Sequence, residues 1–321
     1  GGRIQMQHRE MLADSFSIIT REGVSAELFL ITKKKKQTTE YEVFRTILTV
    51  ESEKLLLEQI QEELSRIIAK DIVFGEYQPG LSIDRDYVAF LPVLEVPYAV
   101  EIVEKLDTLG DLDVAPYADQ NFIKQIWALA VVVRSCCGRS EKLFWKFTPS
   151  KMLASRRALI WRESDLAPSN DPILNIDNKL SCLISSNNIF IFKVNSFELI
   201  FNYIEKLEEN ANAILGMLNQ KNSGLITGVE LLQMAKSDIR KLRKLASLDQ
   251  ASLEELATKL TPQRLARIKE DYQCDFDVDP QTGQITLEKK GVWDVLRLLS
   301  DEFLESEVTG TKYEVFGKKR R

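Results

Sequence analysis

The residues with chemical potential are few. A single histidine, His8, stands near the N-terminus, and both Ser-His-Asp and Cys-His catalysis would have to use it. Its plainer reading is a solvent-exposed residue of a mobile chain end. Phosphate-cradling loops of the GxxxxGKS/T or GxGxxG form are absent, and so is a GxSxG nucleophile elbow. The four cysteines, Cys136, Cys137, Cys182 and Cys274, include no CxxC pair, and one histidine cannot complete a zinc site with them. In a chain of this length they read as reduced thiols of a reducing compartment. Cys136 and Cys137 are adjacent and flanked by Arg134 and Arg139, whose charge favours the reactive thiolate. Against that stands burial of both thiols as small hydrophobes, which is the reading expected here.

One carboxylate pattern invites a metal. Asp279, followed by Glu288 and Lys290 across an expected hairpin, loosely fits the order found in nucleases of the PD-(D/E)xK type. There two carboxylates hold Mg²⁺ and a lysine assists the attacking water. The same residues are routine in turns and at strand ends. The expectation is therefore no catalytic residue, no metal and no cofactor, with a Mg²⁺-dependent nuclease as the enzymatic alternative.

The basic residues are more coherent. A helix expected over 228–247 buries Leu231, Leu232, Ala235, Ile239, Leu242 and Leu245, and its opposite face gathers Lys236, Arg240, Arg243 and Lys244. Phosphate contact needs such a row, because a nucleic-acid backbone presents charges at regular intervals. Further supply comes from Lys33, Lys34, Lys35 and Lys36, from Lys151, Arg156 and Arg157, and from the tail Lys318, Lys319, Arg320 and Arg321. No base-reading module accompanies them, so DNA binding through these residues would be sequence-tolerant and salt-dependent. Each cluster taken alone is also an ordinary solvated face. The net charge of −5 excludes a uniformly basic coat and leaves local patches open.

The elements that must position these groups can be read from periodicity. Val24–Ile31 and Tyr41–Val50 alternate and make a hairpin around the lysine run. Ser52 is the expected N-cap of a helix over 52–70 carrying Leu56, Ile60, Leu64, Ile67 and Ile68. Residues 71–122, broken by Pro79, Pro92, Pro97 and Pro116, read as an irregular acidic surface with a short helix from Tyr98 to Leu109. A meandering sheet is expected over 123–194, with its clearest hairpin turning at Asn187-Asn188. From a cap at Ser196 one long helical stripe runs from Phe197 to Leu218. Helices over 228–247, 251–259, 262–271 and 291–305 and strands over 284–288 and 312–316 complete the chain. The fold class is α+β. Residues 1–195 form a mixed, mostly antiparallel sheet-rich domain with a flanking helix. Residues 196–321 form a mainly helical domain with a C-terminal strand and a basic tail. No signal-peptide pattern opens the chain, and its longest apolar run, Ile126–Val133, is far below the roughly 20 residues of a spanning helix. A soluble cytoplasmic protein is the expectation.

Two stretches carry a family resemblance. One is Asn187–Ala213, a hairpin strand running into a helix led by Phe197-Glu198. The other is Val292–Val315, with its Leu298-Leu299-Ser300-Asp301 turn, its Leu304-Glu305-Ser306 step and its Thr309-Gly310…Tyr313-Glu314-Val315 strand. Together they resemble the KwaB-like family, the soluble component of the Kiwa anti-phage defence system. The resemblance lies mainly beyond about residue 175, and Ser300 stands where asparagine is commoner in that family. It implies a defence effector that binds phage DNA through phosphate contacts and restrains its replication and transcription. It also implies recruitment to the inner face of the membrane by a multi-pass partner, KwaA, and we expect a homodimer. An adaptor that docks on a membrane partner without binding DNA is the remaining alternative.

Overall fold

The computed structural model describes residues 2–33, 40–79, 86–108, 112–116, 119–147, 152–153, 159–162, 165–168, 173–174, 176, 179–221, 228–305 and 312–314. The chain opens with α1 (Gly2–Ile19), β1 (Ser25–Lys33), β2 (Tyr41–Arg45), α2 (Val50–Ile68), β3 (Val73–Glu76) and β4 (Tyr87–Pro92). After a 3₁₀ turn at Val93–Glu95 come α3 (Pro97–Asp107), α4 (Gln120–Gln125), β5 (Ile126–Arg134) and β6 (Ser140–Lys146). Four short strands, β7 (Met152–Leu153), β8 (Leu159–Arg162), β9 (Asp165–Pro168) and β10 (Ile173–Leu174), precede β11 (Cys182–Ser185) and β12 (Asn188–Ile191). The rest is α5 (Val194–Ile200), α6 (Ile204–Lys221), α7 (Gly228–Lys236), α8 (Ile239–Ala246), α9 (Gln250–Lys259), α10 (Pro262–Tyr272), β13 (Asp277–Val278), β14 (Ile285–Thr286), α11 (Val292–Leu299), β15 (Phe303–Glu305) and β16 (Lys312–Glu314). The expected α+β class holds, with an N-terminal sheet and a largely helical C-terminal part. Contacts divide the chain into two compact units, one built on Gly1–Tyr77 and Ile83–Tyr203, the other on Gln78–Ser82 and Ile204–Arg321.

The first unit is organised by an eight-stranded sheet in the order β2-β1-β5-β6-β11-β12-β4-β3. Every pairing is antiparallel except β3 with β4. At its centre β5 is buried at almost every position, because both faces of the sheet are covered. That is why Ile126–Val133 reads as a continuous apolar run and not as an alternation. One face gives Leu129, Val131, Val133, Leu143 and Phe190 to a core with Leu12 and Ile19 of α1 and Leu56, Ile60 and Leu64 of α2. On the other face, Phe144 of β6 meets Phe201 with ring centroids 5.2 Å apart. Each such side chain contributes roughly 1.5–3 kcal/mol through burial.

Several expectations are corrected. Thr49, not Ser52, caps α2, and its side chain accepts the Ser52 N–H. Residues 71–122 are not merely irregular, since they supply β3 and β4 to the main sheet. His8 is not on a loose end: it lies in α1, and its ring stacks on Phe90 with centroids 3.5 Å apart. The hairpin turn falls one residue early, at Ser186-Asn187, with Ser186 at φ 52.

Three expected helices end sooner than their apolar stripes. The stripe from Phe197 is split at 201–203, where Asn202 adopts φ 49 and the Tyr203 N–H turns back to the Glu198 carbonyl. Ser196 lies inside α5, whose N-cap is Lys193. The helix over 228–247 breaks at Asp238, whose carboxylate accepts the Arg240 N–H and caps a new helix. The last helix stops at Leu299, and Asp301 at φ 53 sends the chain into β15. Asparagine and aspartate tolerate the left-handed region and hydrogen-bond nearby backbone, so each break is made by one polar residue. Among the described residues no helix is long and apolar enough to cross a membrane.

Two glycines test the packing with opposite signs. A Cβ on Gly291 would lie 2.2 Å from the backbone oxygen of Asp275, whereas one on Gly216 in α6 would meet nothing within 4 Å. Urea denaturation should therefore show Gly291→Ala destabilising by about 1–3 kcal/mol. Gly216→Ala should be stabilising by up to about 1 kcal/mol.

Candidate functional site

The α7–α8 basic row does not survive as a single helix face. Lys236 ends α7 and reaches Glu208 of α6 at 2.6 Å. Arg240 folds back on Asp238 at 2.9 Å. Lys244 is paired with Glu302, a buried carboxylate. Arg243 shares α8 with Arg240 and Lys244. Three of the four charges are thus directed at carboxylates of the same unit, and a phosphate would have to compete for them. Lys34, Lys35, Lys36, Lys151, Arg156, Arg157 and the tail Lys318–Arg321 lie outside the described residues.

The carboxylate pattern is likewise committed locally. Asp279 accepts the backbone N–H groups of Gln281 and Thr282, which hold its carboxyl below the usual range. Lys290 lies 3.3 Å from Asp275 and 4.0 Å from Glu288, and Asp275 raises its pKa. Among the described residues no group of three or more His, Cys, Asp or Glu side chains is arranged to hold a metal ion.

A different cluster is assembled by the sheet. β1, β5 and β6 run antiparallel, so the end of β1, the start of β5 and the end of β6 share one sheet margin. Lys33, Trp127 and Lys146 occupy those three places. A register shift between Ile31 and Thr32 marks a bulge next to Lys33, a device that re-aims side chains at strand ends. The Trp127 ring is anchored by its own N–H, which donates to the Leu199 carbonyl at 2.9 Å. Lys146 Nζ sits 3.7 Å from the ring centroid and Lys33 Nζ 5.0 Å, both as cation–π contacts. Tyr41, paired with Lys33 across β1 and β2, offers it a second ring at 5.9 Å.

Asn202, the residue that breaks α5 from α6, closes the cluster. Its Oδ1 accepts from Lys33 Nζ at 3.1 Å, and a lysine donor there fixes which end of the amide is oxygen. Its Nδ2 is buried and has no hydrogen-bond partner among the described residues. Lys146 donates to the carbonyls of Trp127 at 2.7 Å and Phe147 at 2.9 Å. Among the described residues it makes no ion pair, and an ammonium has three donors, so one remains. Burial first, and the Lys33 charge second, push the Lys146 pKa down to about 8. Two ammonium groups therefore meet at one aromatic ring, one of them held by the Asn202 carboxamide oxygen. An anion at the ammonium groups would relieve the repulsion between the lysines. A phosphate oxygen fits this chemistry.

Of this cluster, sequence reasoning found only Lys33. Lys146 and Trp127 look in sequence like ordinary strand residues, and Asn202 like one position of a helix. Only the strand register, a long-range property, brings them together. The thiols are also corrected: Cys136 and Cys137 are exposed, whereas Cys182 and Cys274 are buried. Cys137 lies 2.9 Å from the Ser135 hydroxyl, and that bond and the backbone at Arg139 lower its pKa.

A family model described as Kiwa protein KwaB-like matches residues 139–309, just over half of the chain. The chain belongs to this family, and with it to the Kiwa anti-phage defence system. No curated protein and no solved structure matches the chain. Lys146 and Asn202 lie inside the matched span, and Lys33 and Trp127 before it.

The strained lysine leaves a signature in stability. Between pH 8 and 10.5 the unfolded chain keeps a proton on this lysine that the folded chain has released. Stability contributed by this group therefore rises with pH across that window. Lys146→Met should remove this rise, read as the difference between wild-type and variant melting temperatures from pH 7.5 to 10. Parallel curves would show that Lys146 is an ordinary solvated lysine.

Proposed function

We propose that the chain is a DNA-binding effector of Kiwa defence that holds phosphate groups without reading sequence. The observation that carries this reading is the convergence of Lys33 and Lys146 on Trp127, with the unpaired Asn202 amide donor beside them. Two cations left close together in a half-buried site store repulsion that an arriving phosphate releases. Chain connectivity adds to this. In the sequence, Lys34–Lys36 follow directly on Lys33, and Lys151 follows Lys146 by five residues. By contrast, Lys236, Arg240 and Lys244 are already engaged with carboxylates.

Family membership supports the wider setting. The effector acts with the membrane protein KwaA, which recruits it to the inner face of the cell membrane. As a homodimer it presents two such margins to one duplex. Bound along phage DNA, it obstructs replication and transcription by occupancy, without chemistry on the backbone.

The test is duplex binding across a salt series, with and without Mg²⁺. Each duplex phosphate contact contributes about 0.9 to the log–log salt slope. The double variant Lys33→Met/Lys146→Met should lose about two units of slope, roughly one per lysine. Charge reversal of Arg240, Arg243 and Lys244 together should change the slope less. Wild-type affinity should also fall as the pH rises through 8, because Lys146 loses its proton there. An unchanged slope in the double variant would remove the sheet margin from the DNA interface. Mg²⁺-dependent cleavage lost on Glu288→Ala would replace the reading with a nuclease.

A further inference from the structure

The C-terminal unit contains a cavity to which DNA binding gives no role. Its volume is about 590 Å³, inside the range of roughly 300–1,000 Å³ typical of small-molecule sites. Leu256 and Leu260 of α9, Ile268 of α10, Leu298 of α11 and Phe303 of β15 supply its apolar wall. Leu298 and Phe303 come from the Val292–Val315 stretch on which the family resemblance rests. That stretch therefore shapes a concave surface as well as a turn.

The charges at the cavity narrow its ligand. Arg267 is neutralised by Asp271, 3.4 Å away along α10. Arg264 is different. Its backbone N–H is taken by the Thr261 cap, but among the described residues its guanidinium forms no hydrogen bond and no ion pair. Among the described residues, the cavity thus pairs an apolar wall with one cation, Arg264, that no carboxylate neutralises. A polyanion such as a nucleotide fits poorly, because Arg264 can balance only one negative charge and Asp301 also lines the cavity. A neutral apolar molecule would leave the guanidinium unused.

We propose that this cavity binds a small anionic amphiphile, of which a medium-chain carboxylate is the simplest case. The head lies on Arg264, which can hold a carboxylate through two parallel N–H bonds. The apolar body lies against the leucines, Ile268 and Phe303, where its burial supplies the remaining affinity. The proposal is independent of DNA binding and concerns different residues.

The probe is decanoate, titrated into the full chain by calorimetry, with decanol as its uncharged counterpart. We expect saturable binding of one decanoate per chain, with decanol at least tenfold weaker. Arg264→Gln, an exposed helical position, should weaken decanoate about tenfold or more and leave decanol unchanged. Leu260→Trp, which fills the cavity and keeps Arg264, should abolish both. Urea midpoints of both variants identify any loss that is only unfolding. Failure of the folded wild-type chain to bind decanoate saturably would overturn the proposal. Equal affinity in Arg264→Gln would do the same.

Discussion

The first unit depends on the closure of both faces of β5. A strand buried on both sides cannot slip by one residue without placing every side chain against the wrong layer, although here both layers are apolar. Register must then be set at the strand's ends, where polarity changes. At one end Arg134 reaches Glu27 at 3.1 Å. At the other, Trp127 is tied through its indole N–H to Leu199. The same anchors that settle register also decide which polar groups meet at the sheet margin.

That margin runs against the usual economy of folding. Placing an amine in a half-buried site beside a second amine costs solvation and adds repulsion, and the depressed Lys146 pKa records both. Cation–π contact with Trp127 and two backbone carbonyls offset part of this. Arg240 and Lys244 of α8 show the opposite arrangement, compensated close by through Asp238 and Glu302. The two basic regions thus differ in their neighbours: Lys244 faces a carboxylate, whereas Lys146 faces a ring, two carbonyls and a second ammonium.

The sequence disclosed what is local. The β1–β2 hairpin, α2, α3, the β11–β12 hairpin, α9 and α10 were legible from alternation, helical spacing and turn residues, with helix boundaries off by a residue or two and β2 ending five residues before the expected Val50. What escaped were breaks that preserve the stripe. Asn202, Asp238 and Asp301 each interrupt a helix while the apolar residues on either side keep helical spacing, so periodicity alone runs straight through. β3 and β4 were hidden by the prolines around them and by the parallel pairing of two short strands. The candidate site was legible only at Lys33, because its other members are set by register between strands far apart in sequence. The exposure of Cys136 and Cys137 was misread for a related reason. The apolar run before them ends with β5 at Arg134, and Gly138, at φ 80, turns the chain back into β6.

The turn carrying those thiols has a practical consequence. Cys182 and Cys274 are buried, so among the cysteines a maleimide dye would find Cys136 and Cys137 alone. They follow the last residue of β5, and Trp127 is near its first. The strand therefore acts as a rigid ruler of roughly 25–30 Å, at about 3.3 Å per residue. An indole at one end and a dye at the other make the sheet its own optical gauge. With Trp145, Trp161 and Trp293 replaced by phenylalanine, light absorbed beside the two lysines can be read out by the dye at the far turn.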